Sequence, residues 1–288
     1  GGLMRYDGYS FNSFDQDDGL NDKRLYVLSR FRNDDIWMGS RSGISKVSGD
    51  RIISVNESEF PYRKIRGILE TTDGHVWYST YGEGAILYDG DTYTRFTEND
   101  GLGSNTVMEA VEDPEGNIWF ATYGGVSRYD GDSFMTLGIE DGLPNNGVIH
   151  AIVAQDSALW FSTFGGVARL KDGAFDVLTD QQGLPITVSY FVYQSSDGLF
   201  WIGTNDGVVR LDYEAYKNGE MRNLDGIRVI RKEEGLIGNE LNAGAIFEDD
   251  QGRLWMGTVD GLSVFYPQLF SKKQSRPQVY ITGIRSSG

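Results

Sequence analysis

Six tryptophans, at positions 37, 77, 119, 160, 201 and 255, stand 40, 42, 41, 41 and 54 residues apart, and each sits in a version of one phrase. The third copy reads "GNIWFATYGGVSRYDGDSF" from Gly116; others are "DGHVWYSTYGEGAILYDG" from Asp73, "SALWFSTFGGVARLKDG" from Ser157, "GLFWIGTNDGVVRLD" from Gly198 and "GRLWMGTVDGLSVFY" from Gly252. "DDIWMGSRSGISKV" is an earlier, more worn copy. A second phrase, "DGL" or its weaker forms, places Leu20, Leu102, Leu143 and Leu184 each 17 residues before the next tryptophan, and Leu236 19 before the last. Self-similarity at this period makes the chain an array of one structural unit and fixes the fold class before any local reading does.

Within the third unit, "TVMEAVED" (106–113) reads as a short strand and "PEG" as a tight turn with proline at a favoured turn position. "NIWFAT" follows as a strand. In every copy the residues on both sides of the tryptophan are apolar, from Ile36 and Met38 to Leu254 and Met256, so this strand is expected to be covered on both faces rather than one. Two residues beyond each tryptophan stands Gly39, Ser79, Ala121, Ser162, Gly203 or Gly257. Only a small side chain is admitted there, as expected where neighbouring sheets crowd together. "GG" or "DG" then turns the chain into "VSRYDG", and "DGD" turns it into "SFMTL". Four antiparallel strands in about 41 residues make a β-propeller blade. Helical repeats of similar length do not fit short β-rich segments broken by 38 glycines.

The expectation is an all-β β-propeller over 1–267, starting mid-repeat, with six complete blades, or seven in an intact parent. Residues 1–20, "GGLMRYDGYSFNSFDQDDGL", are the second half of a unit whose tryptophan half is missing. They either supply an outer strand to the last blade or belong to a seventh blade. Most of the extra length between Trp201 and Trp255 lies in "DYEAYKNGEMRNLDG", with two residues in "GLIGNELN", both at loops that tolerate insertion.

Composition narrows the function. Hydrophobic residues make up 39% and aromatics 13%, enough to fill a core. The chain has no cysteine, which removes disulfides and thiolate metal sites. A net charge of −16 opposes the counterion-release binding on which nucleic-acid proteins rely, so nucleic acid is not an expected partner. No run of 18 apolar residues is present.

The unit "D-x-x-G-x-(I/L)-W-(F/I/M)-G-T-x-G-G-(V/L)-x-R-Y-D-G" with "DGL-x-x-N-x-V" resembles the regulator-propeller repeat of periplasmic sensor domains in two-component and hybrid two-component systems. "GLIGNELNAGAIFEDDQGRLWMGTVDGLSVFYP" resembles the terminal propeller repeat of that family. "RPQVYITGIR" (276–285) is similar to the opening of the immunoglobulin-like domain that follows it, so 268–288 reads as a linker and the first strand of such a domain. The resemblance implies a periplasmic sensing module that binds polysaccharide breakdown products in many relatives. Its partners there are an immunoglobulin-like domain, a membrane span and a histidine kinase, and the intact sensor is expected to be dimeric. The chain departs from the pattern in holding one propeller where many relatives have two, and no kinase.

Strand order alone places chemistry on one face. The "DPEG" and "DGD" turns lie at one end of a blade, and the loop after the tryptophan strand joins the longer "DGLxxN" loop at the other, which is the expected binding face. The residue after the Thr or Ser of each tryptophan strand reads Arg41, Tyr81, Tyr123, Phe164, Asn205 and Val259. Companion loops add Lys23, Arg24, Tyr62, Arg63, Asn105, Asn145, Asn146, Asn239 and Asn242. Aromatic faces stack on the C–H face of a sugar ring while amides and guanidinium groups bond its hydroxyls or carboxylates, a set that suits an oligosaccharide. The bland alternatives are rim packing for the rings and loop-bracing for the asparagines. Lys23, Arg24, Arg41, Arg63, Lys64 and Arg66 cluster in the first two units, a pattern that fits a solvated rim and also hints at a local site for an anionic glycan or an acidic partner surface.

Two other classes compete. A propeller lyase needs a positioned base, acid or metal. Only His75, in a turn at the far end, and His150, on a first strand facing the axis beside the equivalent Glu109, offer imidazole. No catalysis is expected, and no cofactor or metal: the "DGD" and "DPEG" segments lack the ligand spacing of a calcium loop and are turn chemistry. A protein-interaction scaffold would use the same aromatic arc.

Overall fold

The computed structural model describes residues 1–49, 51–56, 59–182, 188–217 and 227–267; the immunoglobulin-like stub expected at 268–288 lies outside them. Six antiparallel sheets follow one another along the chain. Their inner strands are Leu25–Arg30, Ile65–Glu70, Val107–Glu112, Val148–Val153, Ser189–Gln194 and Leu241–Glu248, packed against one another in sequence order. The tryptophan strands are Ile36–Ser40, Val76–Thr80, Ile118–Thr122, Leu159–Thr163, Phe200–Thr204 and Leu254–Thr258. Third strands run over Ile44–Ser48, Ala85–Tyr88, Gly125–Tyr129, Gly166–Lys171, Gly207–Leu211 and Gly261–Phe265. Five blades carry an outer strand, Arg51–Ser54, Tyr93–Phe96, Phe134–Leu137, Ala174–Leu178 and Ile227–Ile230, and the sixth sheet has three strands among the described residues. This is the expected six-bladed propeller, with three of the expected four strands of its last blade among the described residues.

The tryptophan strands behave as their apolar runs require. All five residues are buried in the second to fifth blades, and cover falls away only in the first and last. The tryptophans of the second, third and fourth blades face the following blade. Trp77 lies edge-on to Phe120 at 5.1 Å, and Trp160 stacks on Phe200 at 4.1 Å with Tyr213 edge-on at 4.8 Å, aromatic pairs worth about 0.5–1.5 kcal/mol each beyond buried area. The small residue after each tryptophan is explained by contact. A Cβ on Gly203 would sit 2.2 Å from the Phe191 ring, and one on Gly39 would sit 2.6 Å from Val27 and 2.8 Å from Ile65 of the next blade.

A hydrogen bond staples neighbouring blades at the turn end. The backbone N–H of Arg32, Thr72, Gln155 and Ser196 donates to Glu70, Glu112, Gln194 and Glu248 of the following inner strand, at 2.7, 2.7, 2.7 and 2.8 Å. Between the third and fourth blades both partners change together. Pro114 has no N–H, and Val153 stands where the acceptor would be.

The N-terminal segment forms its own hairpin, Leu3–Tyr6 against Phe11–Phe14, and pairs with no strand of the last blade. The expected closure through an added outer strand is therefore not what forms. The reason is local: Tyr6 stacks on Phe11 at 4.7 Å, and Asp7 braces the turn by accepting from Tyr9 and Ser10 N–H. Gly2 N–H donates to Lys23 O at 2.8 Å, the same bond that ties each third strand to the next loop at Gly84–Asn105, Gly125–Asn146 and Gly207–Asn239, at 2.8, 2.8 and 2.7 Å. The hairpin thus takes the place of the third and outer strands of a seventh unit. Between the last blade and the first, Phe247 stays 64% exposed and Leu28 55%, whereas Ile68, at the position of Leu28 in the second blade, is 8% exposed.

Candidate functional site

At the long-loop end each tryptophan strand stops at a buried Ser or Thr whose hydroxyl turns back onto the loop. Thr80, Thr122, Thr163 and Thr204 donate to the carbonyls of Gly84, Gly125, Gly166 and Gly207. The next residue is thrown outward, while its own N–H is held by the preceding loop. Arg41 donates to Arg24 O, Tyr81 to Lys64 O, Tyr123 to Thr106 O, Phe164 to Gly147 O and Val259 to Glu240 O, at 3.0–3.2 Å. The expected arc is therefore a row of side chains at fixed backbone positions.

Tyr81, Tyr123 and Phe164 form a continuous series. Their rings meet edge to face at 6.0 Å and 5.7 Å, and they remain 38, 39 and 40% exposed. Rim packing and availability are thus both true of them: each edge supports its neighbour while a face stays in solvent. Burial, helped by neighbouring Tyr81, raises the Tyr123 phenol above its usual value, so it is a neutral hydroxyl at physiological pH. Lys64 and Arg66 flank Tyr81 at 5.8 and 5.4 Å from its centroid, and Arg66 lies 4.1 Å over Tyr26. Lys64 holds a left-handed backbone conformation with φ 53°, a strain that sites of recognition often carry.

Other expected members stand differently. Arg41 and Asn205 are exposed on the same rim, Arg41 near Asp22, whose carboxyl is held below its usual range by Ser42, Arg24 and Arg41 against the opposing effect of burial. Arg63 is exposed. Asn105 and Asn146 turn their side-chain oxygens inward to accept from Glu98 and Ile139 N–H at 3.0 and 2.9 Å, and Asn239 accepts from Lys232 N–H at 2.9 Å. These oxygens brace the short helical turn that follows each outer strand. Tyr62 packs against Phe60 and Tyr93 at 5.4 and 6.1 Å in the second blade. Of the six basic residues on which the anionic-ligand expectation rests, Lys64 and Arg66 lie against the arc.

Down the axis, a cavity of about 620 Å³ is lined by Tyr26, Arg66, Met108, Glu109, Ile149 and His150 on the inner strands, and extends to the junction of last and first blades. The sequence reading placed Glu109 and His150 here correctly, at equivalent register positions opposite Ala121 and Ser162. The part played by Ala243–Ala245 is not foreseen: the inner strand of the sixth blade bulges between Leu241 and Ile246 and brings Gly244 against His150. The signal was the two-residue excess in "GLIGNELN".

Residues 101–124 and 235–260 match the family model of the Two component regulator propeller. In fold, the chain is similar to the extracellular domain assigned to a hybrid two component system of B. thetaiotaomicron, with TM-score 0.82, 18% identity, 94% of this chain and 37% of that one. A second such domain from B. thetaiotaomicron gives TM-score 0.73, 21% identity, 91% of this chain and 35% of the other. The chain spans little more than a third of those two domains. Virginiamycin B lyase from Staphylococcus aureus, in a structure with quinupristin, gives TM-score 0.62 at 16% identity over 87% of both chains, a likeness of fold alone. No curated protein matches the chain in sequence. Among the described residues no helix is long and apolar enough to cross a membrane, and no cluster of three or more metal-ligating side chains occurs.

Proposed function

We propose that this propeller is the extracytoplasmic ligand-sensing module of a two-component regulator and that it recognises an oligosaccharide at its long-loop face. The observation that carries this is the half-exposed series Tyr81, Tyr123 and Phe164, fixed by backbone hydrogen bonds on three successive blades. Such a row presents ring faces at blade spacing to consecutive sugar rings, and Arg41, Arg63, Asn205 and the side-chain N–H groups of Asn105 and Asn146, whose oxygens are already used, supply the polar contacts around it. The likeness to extracellular sensor domains supports a place outside the cytoplasm.

On this reading the module acts with the rest of a sensor chain, an immunoglobulin-like domain, a membrane span and a histidine kinase, in a dimer. A ligand moves the output only by binding one arrangement of propeller and membrane-proximal domain more tightly than another. It performs no catalysis.

The test is a thermal-shift screen of the purified chain against neutral and acidic oligosaccharides, since a ligand that binds only the folded state raises its midpoint. Alanine at Tyr81, Tyr123 or Phe164 is expected to weaken a hit by about 1 kcal/mol, roughly fivefold, with the unliganded midpoint little changed for the exposed faces. Hits that all three variants retain at full affinity defeat the assignment.

A further inference from the structure

The axial cavity is lined by two side chains that each bury one polar atom without a hydrogen-bond partner. His150 is 8% exposed, and its Nδ1 has no hydrogen-bond partner. Its Nε2 stands 3.6 Å from the Glu109 carboxylate, which also accepts from Ala151 N–H at 3.0 Å. Nε2 faces the carboxylate, and Nδ1 is the imidazole atom left to bond a hydroxyl. Arg66 is the second group. Its Nε is buried without a partner, and the side chain forms no ion pair among the described residues. The rings of Tyr26 and Tyr81 hold its plane instead. A guanidinium fixed by stacking, with its donors unused, is a preorganised receptor for a planar carboxylate. Leaving such groups buried and unsatisfied costs stability, and a ligand that brings a carboxylate and a hydroxyl into the cavity completes both.

We propose that this cavity, lined by Arg66 at 5.4 Å from the Tyr81 ring, binds the acidic end of a uronic-acid-containing oligosaccharide. The carboxylate sits on Arg66, a ring hydroxyl bonds His150 Nδ1, and the Glu109 carboxylate fixes the imidazole. About 620 Å³ is ample for one or two sugar rings. The aromatic arc then receives the remaining rings above. This deepens the oligosaccharide reading by naming the ligand class, and it places the charge-recognising residue at Arg66 rather than at Arg41 or Arg63.

The chain contains only two histidines, and His75 lies in a turn at the opposite end of the second blade, so their imidazole NMR signals report two sites at once. Trigalacturonate is titrated into the whole chain, with galactotriose as the neutral probe. The expected result is a saturable shift of the His150 signals with those of His75 unmoved, affinity for trigalacturonate at least tenfold above galactotriose, and loss of that preference in Arg66→Gln and Arg66→Lys. Unchanged melting midpoints show that the variants fold, and Arg66→Lys separates the planar fork from charge alone. If trigalacturonate raises the melting midpoint and Tyr123→Ala removes the rise while His150 stays still, the cavity proposal falls and the arc survives. If His150 responds while the arc variants bind as before, the cavity stands and the arc assignment falls. Silence of both probes in every readout overturns the cavity site.

Discussion

The fourth blade carries a defect that one oxygen atom should repair. In the third, fifth and sixth blades the residue six positions before the tryptophan caps its indole: Trp119 Nε1 donates to Asp113 at 2.7 Å, Trp201 to Ser195 at 3.0 Å and Trp255 to Asp249 at 2.8 Å. The fourth blade has Ala154 there, and the indole N–H of Trp160, whose side chain is fully buried, has no partner. The surrounding turn is otherwise the same, with Ala154 N–H donating to Ala158 O at 2.8 Å as Ser195 N–H donates to Leu199 O at 2.9 Å. A serine hydroxyl at 154 can therefore accept from Trp160 and donate to Ala158 O, as Ser195 donates to Leu199 O at 3.0 Å. A buried donor left unsatisfied costs about 1–3 kcal/mol and a made bond contributes about 0.5–1.5 kcal/mol net. Ala154→Ser should then gain about 1 kcal/mol, seen as a thermal midpoint about 2–4 °C higher and a later urea midpoint at unchanged slope. Ser195→Ala should lose about as much. The decisive control is the Trp160→Phe background, in which the serine has nothing to accept from and the gain should vanish. A neutral or destabilising Ala154→Ser, or a gain that persists without Trp160, refutes the reasoning.

Three further outcomes follow from contacts described above. Gly203→Ala forces a Cβ to within 2.2 Å of the buried Phe191 ring, and calorimetry should show about 1–3 kcal/mol lost to overpacking. Glu112→Ala removes the staple to Thr72 N–H and should cost about 1 kcal/mol in denaturant unfolding, whereas Val153→Ala, opposite Pro114, breaks no such bond. Burial alone would raise the Asp156 carboxyl, but hydrogen bonds from Arg169 and Lys171 outweigh it and hold it at about 2. A depressed folded value contributes stability that is complete above the unfolded value near 3.8 and disappears as pH falls through about 2. The midpoint difference between the parent chain and Asp156→Asn should therefore be constant above about pH 5 and close between about pH 4 and 2, and a difference independent of pH would contradict the assignment.

Most of the architecture was legible because one period repeats six times. The apolar neighbours of each tryptophan set a two-faced strand, the obligatory small residue set close packing, and loop order set which end carries the long loops. What sequence could not show was where a side chain's bonding capacity is already used. "DGLxxN" reads equally as a ligand contact and as a brace, and only the bonds from Asn105 to Glu98 N–H and Asn146 to Ile139 N–H show the second role. Likewise, six basic residues near one another in sequence look alike, while stacking between Tyr26 and Tyr81 singles out Arg66. The N-terminal hairpin was ambiguous for a related reason. Its sequence fits both an added outer strand and half of a seventh unit, and the choice depends on the Gly2–Lys23 hydrogen bond, a long-range contact with no local signature.

The claim that recognition occurs at the long-loop face is tested most directly by amide hydrogen exchange along the whole chain, with and without a saturating oligosaccharide that raises its melting midpoint. The account predicts slowed exchange at 64–66, 81–84, 123–125 and 147–150, with the turns at 71–75 and 113–117 unchanged. Protection centred on those turns, or none on the loops that carry Tyr81, Tyr123 and Phe164, would contradict it.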